Sequence, residues 1–298
     1  MGGRPAERCK SDALFLTLKA SKVVMSTTDL PLECHLDVVP LAGCLLEVAG
    51  WFGTLRKIMT TIASKLQSVR AQITDACQKC GRQPTEVILL AVSKTFPAQA
   101  VRDAALAGQR AFGENYIQEA VDKIAAVQAM ADVPPLQWHC IGPIQSNKTK
   151  LVAQHFDWVH TVDREKIAQR LHEQRPAHLA PLQVCIQVNV DGGETKSGCA
   201  PQEALALAQC IAALPRLQLR GVMSIPDPQS CADAMLAVHR KVVAVFDSIR
   251  AAGIAGLEQF DTVSLGMTAD MQTAIAAGST MVRVGSGIFG ARDYASKA

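Results

Sequence analysis

The stretch Glu86–Pro97 reads EVILLAVSKTFP. From Val87 to Ser93 every residue is apolar or small, and then a lysine follows. An unbroken apolar run of this length is how a strand buried on both faces reads, and such strands belong to parallel sheets covered by helices. Lys94 then stands at the carboxyl end of that strand. Either the strand simply ends there and the ammonium group reaches water, or Lys94 is a reactive amine held in a pocket. The rest of the chain must decide.

Working outward from this run, short apolar stretches alternate with longer helical ones. The spacing predicts eight strands: Val87–Val92, Arg110–Phe112, Gln137–Ile141, Asp157–Thr161, Gln183–Asn189, Gln218–Ser224, Thr262–Leu265 and Met281–Val284. Between them lie helical patterns at Gln99–Ala107, Asn115–Met130, Asn147–Gln154, Arg164–Gln174, Gln202–Leu214, Cys231–Ala252 and Ala269–Ala277. A helix after each strand demands parallel pairing. Eight such units fit a single α/β domain, a (β/α)8 TIM barrel. A doubly wound open sheet is the alternative, but it should carry a glycine-rich fingerprint after its first strand, and AVSKTFP has none. One further helix precedes the barrel over Ile58–Cys80, with Ile62, Leu66, Val69, Ile73 and Cys77 at helical spacing and Gly81 as its stop.

The first 58 residues show no clear period. They are expected to form a poorly ordered extension, 1–58, before a barrel domain at 59–298, with Met59 a natural start. Val38–Phe52 is the most apolar part, but it is shorter than the roughly 20 residues a bilayer span needs and contains Pro40 and Glu47. Leu41–Cys44 reads LAGC, like a lipoprotein processing site, yet the acidic segment before it lacks the basic start and long apolar run of a signal peptide. The formal net charge of +3 and an aromatic content of 4% give no reason to expect nucleic acid or an anionic membrane as partner. The 10 cysteines are irregularly spaced, and Cys77–Cys80 has neither a second CxxC nor a suitably placed histidine to complete a zinc site. These point to a reducing, cytoplasmic setting without a metal.

Barrel enzymes place their chemistry at the carboxyl ends of the strands, and the loops after strands seven and eight often hold a phosphate. Here those loops read SLGMT and RVGSG. Gly266, Gly285 and Gly287 let backbone amides approach an anion, while Ser264, Thr268 and Ser286 add hydroxyl groups. Thr268 could also cap the helix that follows. Arg283 supplies a fixed positive charge suited to phosphate geometry. Each loop alone could be an ordinary tight turn; both together favour a phosphate cup. When the barrel closes, Lys94 on strand one lies beside strand eight. A ligand that joins a phosphate to an amine-reactive carbonyl is pyridoxal 5′-phosphate, with which a desolvated lysine forms a Schiff base.

The motifs AVSKTFP, FGENYIQEA, LQWHCIGPIQSNK, QVNVDGGETKSG, GVMSIP and SLGMTADMQTAIAAGSTMVRVGSGIFGARDY occur in this order between Met59 and Tyr294. In this the chain resembles the YggS/PROSC family of pyridoxal phosphate homeostasis proteins. The resemblance implies a barrel like the N-terminal domain of alanine racemase, with Lys94 bearing the cofactor. It also implies that Ser264, Gly266, Met267, Thr268, Arg283, Gly285 and Ser286 hold the phosphate, and that Asn115 and His139 line the pocket. Two departures are mild: SLGMT stands where the family more often has SMGMS, and Cys140 where it has phenylalanine.

Two functions remain open: a carrier that stores, buffers or delivers the cofactor in vitamin B6 homeostasis, and a racemase-like enzyme. Alanine racemase chemistry needs a tyrosine base from a C-terminal β-domain. The chain runs only to Ala298, and neither Tyr116 nor Tyr294 is placed for that role. The expectation is a non-enzymatic, monomeric carrier whose partners are the cofactor and, through it, PLP-dependent apoenzymes. His155, His160, His172, His178 and His239 are expected to face solvent or serve packing. Glu194 and Lys196 could gate the pocket or form a solvated pair.

Overall fold

The computed structural model describes residues 62–193 and 197–291. The extension 1–58, Met59, the LAGC run, Glu194, Lys196 and Tyr294 lie outside the described residues. A first helix, α1 (62–79), buries Ile62, Leu66, Val69, Ile73 and Cys77, the five positions whose spacing predicts it. Gly81, at a φ of +71°, follows its end.

The barrel then runs in strict alternation. Its first half is β1 (Ile88–Val92), α2 (Ala98–Leu106), β2 (Ala111–Glu114), α3 (Ile117–Gln128), β3 (Gln137–Cys140), α4 (Thr149–His155), β4 (Trp158–Val162) and α5 (Glu165–Gln174). Its second half is β5 (Leu182–Gln187), α6 (Ala204–Ala212), β6 (Leu217–Met223), α7 (Ala232–Ala251), β7 (Thr262–Ser264), α8 (Met271–Ala277), β8 (Met281–Val284) and a short α9 (Ser286–Phe289). All strands pair in parallel and in sequence order, and β8 returns to β1 through Ile88↔Met281 and Ala91↔Val284. The eight-stranded barrel expected from the sequence is therefore the fold.

The run from Val87 to Ser93 is apolar because β1 faces two cores. Leu89 and Ala91 join the large core between sheet and helices, while Leu90 and Val92 join a smaller cluster inside the barrel with Ala111, Ile141 and Met281. A second interior cluster holds Trp158, Cys185 and Met223.

Several boundaries differ from expectation. β2 continues to Glu114, so Gly113 and Glu114 belong to a strand rather than a loop, and α3 begins only at Ile117. A Cβ at Gly113 would lie 3.0 Å from Ile141 and 3.2 Å from Leu90, so glycine here lets interior side chains close over the strand. β5 stops at Gln187, leaving Asn189 in the loop, although Val188 still bridges to Cys199. Among the described residues, no helix is long and apolar enough to cross a membrane, and no cluster of side chains could hold a metal ion.

Candidate functional site

Lys94 is partly buried in the turn that follows β1. Its neighbour Thr95 has a φ of +70°, which a β-branched residue adopts only when its surroundings impose it. Here α3 imposes it. Glu119 Oε1 accepts the Thr95 N–H at 2.7 Å, and Lys123 Nζ donates to Ser93 O at 2.8 Å. The same ammonium group binds Glu119 Oε1 at 3.1 Å and the buried Glu114 Oε1 at 2.7 Å, and the Ser93 hydroxyl also donates to Glu114 Oε1. Ser93 and Thr95, on either side of Lys94, are thus held by one charged cluster. Burial pushes the Glu114 carboxyl up, and Lys123 and Ser93 offset this only in part.

The glycine loops share this rim. Gly285 lies so close to β1 that a Cβ there would sit 3.2 Å from Val92 O. Gly266 is buried at a φ of +89°, and a Cβ there would meet the Ala274 methyl at 2.6 Å, so both conformation and space require glycine. Met267, Thr268 and Ser286 are exposed, and the Ser286 hydroxyl lies 3.4 Å from that of Thr268. Thr268 does not cap α8. The helix starts at Met271 with Asp270 at the N-cap position, but the Asp270 side chain bonds no helix N–H; its Oδ1 instead accepts the Met267 N–H at 2.7 Å and so closes the loop. His239 Nε2 stands 3.1 Å from Asp270 Oδ2. Burial alone would raise the Asp270 carboxyl, but His239 and the Met267 N–H outweigh it and hold it below its ordinary value.

Arg283 is turned into the barrel and is 4% exposed. Its guanidinium donates to Ser264 O at 2.6 Å, Ser264 Oγ at 2.8 Å and Ser224 O at 2.8 Å, all of them neutral oxygens. Burial lowers its pKa to about 10, which leaves it charged at neutral pH. Ser264 Oγ also meets His160 Nδ1 at 3.0 Å. His160 Nε2 meets His139 Nδ1 at 2.9 Å, and His139 Nε2 meets Gln137 Oε1 at 3.1 Å. Both rings are fully buried, and His139 stacks on Trp158. His139 therefore lies beneath the rim inside the barrel, with both nitrogens engaged, instead of lining an open pocket. Burial lowers its pKa to about 3 and drives His160 well below the ordinary value, with His139 and Arg283 adding to the effect.

Asn115 lines a cavity of about 240 Å³ at the carboxyl ends of β2 to β6, with Thr161, Gln187 and Ser224. Its Oδ1 is buried and, among the described residues, has no hydrogen-bond partner.

The structure thus brings Lys94, Gly266, Met267, Thr268, Arg283, Gly285, Ser286 and Asn115 to one rim, with Ser264 and His139 below it. Sequence reasoning missed the roles of Glu119, Lys123, Ser224, His160 and His239. His160 and His239 are neither solvent-facing nor plain packing residues; each is buried against a polar partner. One signal was available for His160. His139 pairs with Trp158 across β3 and β4, and strand residues two apart share a face, so both histidines point inward.

The family model described as the N-terminal domain of alanine racemase matches residues 64–293. A pyridoxal phosphate homeostasis protein of Escherichia coli K12 is 53% identical over 239 residues, covering 80% of this chain and all of that one. A protein of the same name from Pseudomonas aeruginosa is 53% identical over 240 residues, again covering 80% of this chain and all of its own. The solved structure of PipY from Synechococcus elongatus with PLP bound aligns with a TM-score of 0.66 at 34% identity, covering 77% of this chain and all of that one. Alanine racemase from Corynebacterium glutamicum, at 17% identity and a TM-score of 0.54 over 80% of this chain and 63% of its own, shares the fold. The chain belongs to the pyridoxal phosphate homeostasis protein family, built on the barrel of the alanine racemase N-terminal domain.

Proposed function

We propose that this chain binds pyridoxal 5′-phosphate at the carboxyl rim of its barrel and serves intracellular vitamin B6 homeostasis, storing, buffering or delivering the cofactor without turning over a substrate. The observation that carries the reading is Arg283: a buried guanidinium with neutral protein partners, beside two glycine loops and one strand away from Lys94. A buried cation among neutral partners favours an anion at the site. Ser264, Gly266, Met267, Thr268, Arg283, Gly285 and Ser286 form the phosphate grip, Lys94 is the covalent anchor, and Asn115 offers an orphaned acceptor in the cavity at the same end of the barrel. When bound, the cofactor supplies an aldehyde that condenses with amines.

The exposed outer edge of the grip at Met267, Thr268 and Ser286 suits a carrier, because incoming amines and water reach the anchored group. The relatives named homeostasis proteins and the PLP-bound PipY support the same reading. We assign the chain to the cytoplasm as a monomer that hands the cofactor to apoenzymes.

Incubation with the cofactor should give a yellow protein, and borohydride should fix the adduct to the peptide containing Lys94. Lys94→Ala should stay colourless. A colourless wild-type protein overturns the reading. Chiral analysis after incubation with L-alanine should show no D-alanine, and sustained turnover would instead identify a racemase-like enzyme.

A further inference from the structure

The amino end of the barrel, opposite Lys94, opens into a cavity of about 620 Å³. Gln137 and Trp158, the first residues of β3 and β4, line it together with Arg110, Asp157, Arg175 and Arg220. Arg175 is 4% exposed and donates from Nε to Ala180 O and from Nη1 to Ala153 O and Phe156 O, each at 2.8 Å. These bonds tie the end of α5 to the end of α4, but Nη2 keeps no hydrogen-bond partner among the described residues. Arg110 donates from Nη1 alone, to Ala105 O and Gln109 O, so its Nε and Nη2 are also free. The Trp158 indole N–H is buried and has no partner among the described residues. Arg220 differs, because Asp261 neutralises it at 2.6 Å while its guanidinium lies 4.9 Å over the Trp158 ring.

We propose that this cavity is a second ligand site, remote from the carboxyl rim, which takes a small molecule presenting a phosphate or carboxylate group between Arg175 and Arg110. Neither arginine makes an ion pair among the described residues. Asp157 is the carboxylate on the cavity wall, and its Oδ2 already accepts the Trp138 N–H at 2.8 Å. Two positive charges against one negative make the floor attractive to an anion, and a guanidinium fork matches either oxyanion. The amino end of such a barrel ordinarily serves stability. The carbonyl bonds of Arg175 do that, yet they leave its free Nη2 and the orphaned Trp158 N–H unexplained. Buried donors without acceptors cost free energy, which a bound acceptor offsets.

Nitrogen–proton NMR of the Trp158 indole reads this floor directly. Inorganic phosphate, and malonate as the carboxylate probe, are titrated separately into the wild-type protein. At least one should shift the resonance along a saturating curve, with a Kd on the order of 1 mM. Sodium chloride at equal ionic strength should not. Arg175→Met should weaken binding about tenfold or more, for the loss of a charge-assisted contact. Arg110→Ala, an exposed position, should weaken it several-fold and carries the test if Arg175→Met fails to fold. Asp157→Asn should tighten it several-fold, because the amide keeps an oxygen for the Trp138 N–H and drops the opposing charge.

Shifts that do not saturate with either probe, that chloride reproduces, or that Arg110→Ala and Asp157→Asn leave unchanged would overturn the inference. A repeat on protein with pyridoxal 5′-phosphate fixed by borohydride, and the excess removed, should give the same titration. A shift abolished by that adduct would place the anion at the carboxyl rim and overturn the second site.

Discussion

At the scale of single residues, the site is decided by how little room and how little water it allows. Arg283 keeps its charge in the barrel although burial works against it. Arg283→Gln should therefore weaken cofactor retention about tenfold or more while the barrel still folds, with a loss of about 1–3 kcal/mol in urea unfolding because Ser264 O and Ser224 O lose their buried donor. Retention equal to wild type would remove Arg283 from the phosphate grip. Gly266 answers to space instead. Gly266→Ala sets a methyl 2.6 Å from Ala274 at a positive φ, which should cost about 2–4 kcal/mol in urea unfolding. Little or no loss would show that the SLGMT loop can shift freely. Both residues were legible as candidates in the sequence, since glycine and arginine after the last strands point to an anion. Which neutral oxygens Arg283 would face was not legible, because Ser224, just past β6, and Ser264, at the end of β7, lie 59 and 19 residues away in the chain.

At the scale of elements, the turn that carries Lys94 is shaped less by β1 than by α3 packed against it. Glu119 and Lys123 lie one helical turn apart and grip both sides of the turn. Glu119→Ala should slow adduct formation at Lys94 several-fold, with a stability loss of only about 1 kcal/mol, the usual size for one part-exposed hydrogen-bonding group. Stopped-flow absorbance and urea unfolding separate the two effects, and an unchanged rate would show that Thr95 holds its conformation unaided. Lys123→Met should be more severe, because it leaves Glu114 buried without its cation. The loss should be about 3 kcal/mol at pH 8 and should shrink as pH falls, because burial pushes the Glu114 carboxyl up and a protonated carboxyl no longer needs a partner. A loss independent of pH would contradict the ion pair. The sequence showed FGENYIQEA as a motif, but it placed Glu114 in a loop. Only the strand pairing of Glu114 with Cys140 puts the carboxylate inside, where a lysine from the next helix can meet it.

At the scale of the whole molecule, closing the ring creates an interior that no single strand possesses, and two histidines are sealed into it. His139 titrates near 3 in the fold against an ordinary value of 6.5, and His160 is lowered in the same direction. An unfolded chain therefore binds more protons than the native one below pH 6.5. The stability these groups contribute is full above that pH and is lost as pH falls below it, at about 1.4 kcal/mol per unit for each histidine, down to about 3 for His139. Glu114, raised by burial, works in the opposite sense, so the useful measurement is a difference. Between pH 7 and 5, His160→Phe should lose stability less steeply than wild type, and parallel curves would show that burial does not keep His160 neutral in the native state. What the amino-acid sequence determined by itself was the alternation of buried strands and helices, the lysine at the first carboxyl end and the glycine loops at the last two. Those signals are local, set by period, run length and turn residues. The tertiary structure alone decided which polar groups are buried and what they touch. The histidine file, the clamp on Lys94 and the pairing of His239 with Asp270 all join residues distant in the chain, and burial turns each contact into a constraint.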